Sequence, residues 1–194
     1  VPYPGVICAS VNEEVVHGIP GPRVLEDGDL LSVDFGAIVD GWHGDAAISI
    51  PIGDVAPDIA ELSRVAEASL WAGLAKARAG GRLTDISHAV ETTITAAGPF
   101  GIVADYGGHG IGTRMHMDPH ILNYGSPGRG HLLRPGMALA IEPMVTQGDP
   151  EVGVLPDAWT VVTMDGGWAA HWEHTVAVTE SGPWVLTALD DVRL

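Results

Sequence analysis

The chain of 194 residues is poor in basic side chains: nine Lys and Arg stand against 25 Asp and Glu, a formal charge of −16. Lys76 is its only lysine, and no run of basic residues occurs. Phosphates therefore have little to pair with. This excludes a broad nucleic-acid-binding surface and argues against an anionic membrane as partner. A single cysteine, Cys8, excludes an intrachain disulfide and fits a reducing compartment. Long apolar runs are missing too. The longest stretch free of charge, Thr92 to Ala104, contains Gly98-Pro99 and is too short to span a bilayer. Val1-Pro2-Tyr3-Pro4-Gly5 has neither the basic start nor the apolar block of a signal peptide, so a cytoplasmic location is expected. It also lacks an initiator Met, so an N-terminal part is expected to be missing. HExxH, paired CxxC and Gly-x-Ser-x-Gly are absent, which removes the core signals of zincins, zinc ribbons and serine hydrolases.

What remains is a chain with 46% hydrophobic and 18% charged residues, apolar enough to fold around a core. Its 26 Gly and 14 Pro favour turns and strands over long helices. Leu30 to Ile52 reads as a β-hairpin turning at Asp40-Gly41. Pro57 to Ala79 reads as a helix with Ile59, Leu62, Ala66, Leu70 and Leu74 on one face, stopped by Gly80-Gly81. Thr84 to Ala97 reads as a second helix with Thr84 as N-cap. Leu139 to Val145, Trp159 to Met164, Ala169 to Thr179 and Trp184 to Leu189 are the later strand candidates. No linker or low-complexity segment divides the chain, so residues 1–194 are expected to form one α+β domain.

A short internal echo pairs Gly28-Asp29-Leu30-Leu31-Ser32-Val33-Asp34 with Gly136-Met137-Ala138-Leu139-Ala140-Ile141-Glu142. Both open a strand and end on a carboxylate, and each strand is followed by another bearing an acid, Asp45 or Glu173. With a two-residue turn, residue 36 faces 45 and 34 faces 47. Asp34 and Asp45 then share one face as diagonal neighbours, roughly 7–8 Å apart. A solvated face is the plain alternative, but Val33, Phe35, Ala46 and Ala47 beside the acids favour an inward-facing pair. Glu142 interrupts the core-like Ala138–Val145 strand, and Glu173 faces opposite to Trp172 and Val176. Inward acids need compensating charge, and nine basic side chains cannot readily supply it. Two divalent cations can, in an oxygen-rich site suited to Mn, Fe, Co or Zn. His109, set in Gly107-Gly108-His109-Gly110-Ile111-Gly112, is the natural nitrogen ligand.

The stretch Asn12 to Pro20, Asp34 with Asp45 eleven residues later, Gly108-His109-Gly110-Ile111-Gly112, Ile141-Glu142-Pro143-Met144 and Glu173-His174-Thr175 occur in an order that resembles the type I methionine aminopeptidases of the peptidase M24 family. The likeness runs from Tyr3 to Leu186. It implies the pita-bread α+β fold, two pseudo-symmetric halves around a dinuclear metal site. It implies two divalent metal ions (Co, Mn, Fe or Zn) held by Asp34, Asp45, His109, Glu142 and Glu173. It further implies Glu142, His116 and His17 as catalytic residues, with His17 and His116 also contacting substrate. By position, Tyr3, Cys8, Met115 and Trp159 join them along the methionine pocket. The implied reaction removes the N-terminal, initiator methionine from nascent proteins and peptides whose second residue is small, by attack of a metal-activated water. The implied partners are peptide and nascent-chain N-termini and, transiently, the ribosome, through a missing N-terminal part or a patch holding Arg78 and Arg82. A monomer is expected.

The chain departs from the pattern at Val16 and Gly107, where Cys is frequent, and at Met115, where an aromatic is common. It departs again at His171-Trp172, where Gln with Tyr or Phe is more usual. None of these removes a ligand. An Xaa-Pro aminopeptidase or prolidase shares the fold and the five ligand types, but the Asn12–Pro20 stretch and Ile141-Glu142-Pro143-Met144 favour the methionine enzymes. A non-catalytic binding protein on the same shell predicts eroded ligands, and all five are present.

Overall fold

A computed structural model describes residues 2–194. In chain order its elements are β1 (Cys8–Val11), β2 (Glu14–Val16), β3 (Leu30–Val39), β4 (Trp42–Pro51), α1 (Pro57–Leu74), α2 (Leu83–Ala97), β5 (Gly101–Ile102), β6 (Gly108–Gly110), β7 (Met117–Ile121) and β8 (Ala138–Ile141). There follow β9 (Met144–Thr146), β10 (Val152–Val154), β11 (Val161–Thr163), β12 (Ala169–His171), β13 (Glu173–Thr179), β14 (Gly182–Val185) and β15 (Val192–Arg193).

The first hairpin forms as expected. Asp40 and Gly41 take φ of 51° and 84°, the left-handed pair that a two-residue turn demands. The register then sets Gly36 opposite Asp45 and Asp34 opposite Ala47. Gly28 and Gly136, the leading residues of the echo, take φ of 101° and 91° just before β3 and β8, so both halves enter their strands by the same backbone device.

β3 and β4 join β13, β8, β6 and β7 in one large mixed-origin sheet, ordered β1-β3-β4-β13-β8-β6-β7, with β14 and β15 extending from β13. The seam between halves is the short β4–β13 pairing, Ala46 with His174 and Ala47 with Glu173. Helices α1 and α2 cover one face of this sheet. Leu62, Leu70, Leu74, Ile86, Val90 and Ile94 pack there against Leu139, Ile141 and Val176, all fully buried. A smaller cluster of Val15, Val16, Val103, Met144 and Val161 packs together residues of the two three-stranded sheets, β10-β11-β2 and β12-β9-β5. None of the described helices is long and apolar enough to cross a membrane.

Four expectations are corrected. Helix α1 ends at Leu74 rather than Ala79, because Lys76 and Ala77 close with tighter bonds to Gly73 and Leu74 and the chain then leaves to pair Gly80 and Gly81 with Leu133. Helix α2 begins one residue before Thr84. Its start is closed by the Asp85 carboxylate, which accepts the Arg82 N–H at 2.8 Å, while the Thr84 hydroxyl is engaged with the backbone of Arg129. The strands expected over 139–145 and 169–179 are each broken, at Glu142-Pro143 and at Trp172, and each passes there from one sheet to another. Pro143 lacks the N–H a continuous ladder would use. The candidate over Trp159 to Met164 shrinks to Val161–Thr163, and the one over Trp184 to Leu189 moves back to Gly182–Val185.

Candidate active site

The two strand breaks coincide. Ile141 pairs with His174 on one side of them and Met144 with His171 on the other, in the same register, so Glu142 and Glu173 stand opposite each other at the bend. The Trp172 N–H reaches the Pro143 carbonyl at 3.4 Å across the gap. Leaving the ladder at this point turns both carboxylates toward the hairpin that carries Asp34 and Asp45. Asn123 donates to the Glu142 carbonyl at 3.0 Å and fixes that bend from outside.

The acids, together with His109, form overlapping clusters: Asp34, Asp45 and Glu173 in one, His109, Glu142 and Glu173 in another, Asp45, His109 and His116 in a third, each with donor atoms within 4.8 Å of one another. His109 is 7% exposed. Its Nδ1 lies 3.0 Å from the Gly110 carbonyl, an acceptor only, so Nδ1 carries the proton. The lone pair of Nε2 is thereby aimed inward, 3.4 Å from Glu142 Oε1 and 3.8 Å from Asp45 Oδ2. This is the arrangement a ligating histidine uses. His116 is exposed, with its ring centroid 4.5 Å from that of His109.

No Lys or Arg among the described residues pairs with any of the four acids; the basic side chains engage Glu14, Glu61 and Asp191 instead. Burial drives Asp34 up to about 7, with the neighbouring charge of Asp45 adding to the effect. Burial likewise raises Asp45, and it holds Glu142 and Glu173 well above the usual carboxylate range, helped by the other acids. Glu173 is 2% exposed and its Oε1 has no hydrogen-bond partner. An orphaned buried carboxylate oxygen, four crowded acids and an imidazole lone pair together are a donor set for divalent cations, rich in oxygen with one nitrogen. The residues present fit such a centre.

Beside the acids lies a cavity of about 360 Å³ lined by Tyr3, Cys8, His17, Asp34, Phe35, Gly36, Asp45, Met115, His116 and Trp159, among others. All six side chains expected to touch substrate line it. The Tyr3 hydroxyl donates to the Gly18 carbonyl at 2.8 Å, and its ring meets Trp159 edge-on with centroids 5.2 Å apart. His17 holds a left-handed backbone, φ 60°, and sits edge-on to Tyr106 and Trp159. Such strain in a non-glycine residue is retained where the surroundings over-determine it. The Met115 methyl lies directly over Gly36, in space that any Cβ at position 36 would claim. The Cys8 thiol, opposite Asp34 in the β1–β3 ladder, is raised to about 11 by burial and by the Asp34 charge, and so stays protonated. Phe35 is half-exposed at the rim, not in the core.

Two residues with no assigned part belong here. Thr175 is bonded to the Asp45 backbone. His171 is 2% exposed and lies against both glutamates. The sequence marks it only as a departure from the family pattern, with no role attached.

Metallopeptidase family M24 matches residues 1–180 of the chain. Methionine aminopeptidase 1 of Mycobacterium tuberculosis is 56% identical over 191 residues, covering 95% of this chain and 72% of that protein. Methionine aminopeptidase 1 of Bacillus subtilis is 52% identical over 185 residues, covering 95% and 74%. Among solved structures, the methionine aminopeptidase of Thermotoga maritima superposes with a TM-score of 0.91 at 47% identity, covering 93% of this chain and 73% of that one. The prolidase of Pyrococcus horikoshii, at 20% identity and a TM-score of 0.72, covers 98% of this chain and 49% of its own; it shares the fold alone.

Proposed function

The chain belongs to metallopeptidase family M24 and has the activity of a methionine aminopeptidase; we propose that the acid-rich cleft is the centre that carries it. The enzyme is a metal-dependent hydrolase acting on the N-termini of peptides and nascent chains. The observation behind the assignment to this cleft is the cluster of four buried acids and an inward-facing imidazole, with no Lys or Arg of the described residues beside it.

In this reading Asp34, Asp45, His109, Glu142 and Glu173 hold two divalent ions, of Co, Mn, Fe or Zn. When bound, such ions supply Lewis-acid activation of water and of the scissile carbonyl. The chain's own groups do the rest. Glu142, buried in the acid cluster and ionised when cations offset its neighbours, takes the proton of the attacking water and passes it to the leaving amine. His116, exposed at the mouth beside His109, donates to the oxygen that gains charge, worth about 3 kcal/mol for one such donor. His17, lodged between Tyr106 and Trp159, holds the peptide beyond the scissile bond. Tyr3, Cys8, Met115 and Trp159 enclose the methionine side chain, and a small second residue is required.

The test is a peptide panel with Glu142→Gln as control. Met-Gly peptides are cleaved faster than Xaa-Pro peptides, and the variant loses 10²–10⁴-fold in kcat while still binding peptide. Equal turnover by the variant would remove Glu142 from this role. Contact with the ribosome, for a protein of charge −16, runs through a local basic patch near Arg78 and Arg82, both exposed on the helical side. Ribosome binding that is insensitive to salt and to Arg78→Ala would contradict this.

A further inference from the structure

His171 lies at the end of β12, where the chain crosses between sheets into the acid cluster. Its backbone is clamped: the N–H donates to Ser49 Oγ at 2.9 Å and the carbonyl accepts the same hydroxyl at 3.0 Å. Ser49 is in turn held by Ser32 at 2.7 Å. The backbone that carries the ring is therefore fixed in place. Its Nε2 stands 3.9 Å from Glu142 Oε2 and 3.9 Å from Glu173 Oε2, and neither ring nitrogen has a hydrogen-bond partner among the described residues. A wholly buried imidazole with two unpaired nitrogens is unusual, since buried polar groups are paired in nearly all native structures.

We propose that His171 is a positioning residue of the metal centre, its Nε2–H donating to the carboxylate oxygens of Glu142 and Glu173 that face it and holding both glutamates in the orientation that receives a cation. This rests on the reading of those two residues as ligands. The choice of tautomer follows from the contrast with His109. There, Nδ1–H has the Gly110 carbonyl to donate to, and Nε2 is free to ligate. For His171 to ligate through Nε2, its proton would sit on Nδ1, where no acceptor waits. Buried orphan N–H groups are rarer than under-satisfied acceptors. The other tautomer leaves only a lone pair unpaired and points the N–H at two carboxylates. Closing 3.9 Å to hydrogen-bond distance takes a shift of about 1 Å. Partners of this kind, behind metal-bound carboxylates, typically govern 10–100-fold in metal affinity.

The experiment measures Mn²⁺ affinity of the wild type, His171→Leu and His171→Gln by competition with a chelating dye, and records the His tautomers of Zn²⁺-loaded wild type by two-bond ¹H–¹⁵N correlation NMR. The expected result is a roughly 10–100-fold loss for His171→Leu and recovery to within about threefold for His171→Gln, whose amide restores an N–H donor. The NMR spectrum should place the His171 proton on Nε2 and that of His109 on Nδ1. Unchanged affinity in His171→Leu would make the ring a spacer and overturn the inference, as would failure of His171→Gln to restore binding. If His171→Leu does not fold, the wild-type spectrum decides: a His171 proton on Nδ1 with a metal-shifted Nε2 makes it a direct ligand and refutes the positioning role. Wild type that binds no Mn²⁺ would instead overturn the metal-site reading itself, and this inference with it.

Discussion

Asp45 and Thr175 exchange two hydrogen bonds across the seam between the halves of the molecule. The Asp45 N–H donates to Thr175 Oγ1 at 2.9 Å, and the same hydroxyl donates to the Asp45 carbonyl at 2.9 Å. At this position β4 and β13 have already diverged from their short ladder, and a side chain completes the pairing that backbone no longer can. Thr175→Ala should leave a buried N–H and C=O unpaired, costing about 1–3 kcal/mol of stability and weakening metal binding through a looser Asp45. Thr175→Ser should retain both. Chemical denaturation with metal titration of the two variants checks this; equal stability in Ala and Ser variants would mean the bonds contribute nothing.

Crowding of acids makes the metal-free protein pH-sensitive in an uncommon direction. Asp34 is raised to about 7, and Asp45, Glu142 and Glu173 are raised as well, mainly by burial. In the unfolded chain these groups titrate near 4. The folded state therefore holds protons that the unfolded state has lost, and stability falls as pH rises through the folded values. Burial lowers His17, His109, His171 and His174, which opposes this below about 6.5, where unfolded histidines gain charge. Between pH 6.5 and 8 only the acids act. Metal-free protein should lose stability across that window, by up to about 1.4 kcal/mol per pH unit for each proton involved. Saturating Mn²⁺ should flatten the dependence, and Asp45→Asn should reduce it while raising metal-free stability and lowering metal affinity. Thermal unfolding at several pH values, with and without Mn²⁺, is the check; a metal-free form that gains stability toward pH 8 would contradict the account.

Met115 lines the cavity over Gly36 with a flexible thioether, softer than an aromatic ring would be. Apolar pockets separate one methylene by only ~1–3 kcal/mol, so the wall's stiffness matters. Met115→Phe should raise the preference for Met-Gly over Leu-Gly several-fold in kcat/KM, and Met-Leu should remain a poor substrate for both proteins. An unchanged Met-to-Leu ratio would remove Met115 from specificity.

The hairpin register was legible because Asp40-Gly41 admits one tight turn, and counting outward from it put Asp34 and Asp45 on one face. The gathering of the acids was anticipated for a chemical reason: inward acids in a chain with so few basic groups call for a cation between them. The broken strands were not, because Met144 and Val145 resume the apolar run after Glu142, and Pro143 alone shows that the ladder cannot continue there. The helix ends were misjudged where long-range partners decided them, Leu133 for the end of α1 and Arg129 for Thr84. His171 stood out in the sequence only as a departure from the family pattern, because nothing in the chain order shows its ring nitrogens facing Glu142 and Glu173.

The most direct test of the central claim, that these five residues form the catalytic metal centre, is cleavage of a Met-Gly peptide by chelator-stripped protein during titration with Mn²⁺ or Co²⁺. The account predicts no turnover in stripped protein, activity rising with bound metal, and a titration shifted to higher metal concentration by Asp45→Asn, whose lost charge weakens the site. Full turnover by stripped protein, or an identical titration for Asp45→Asn, would contradict it.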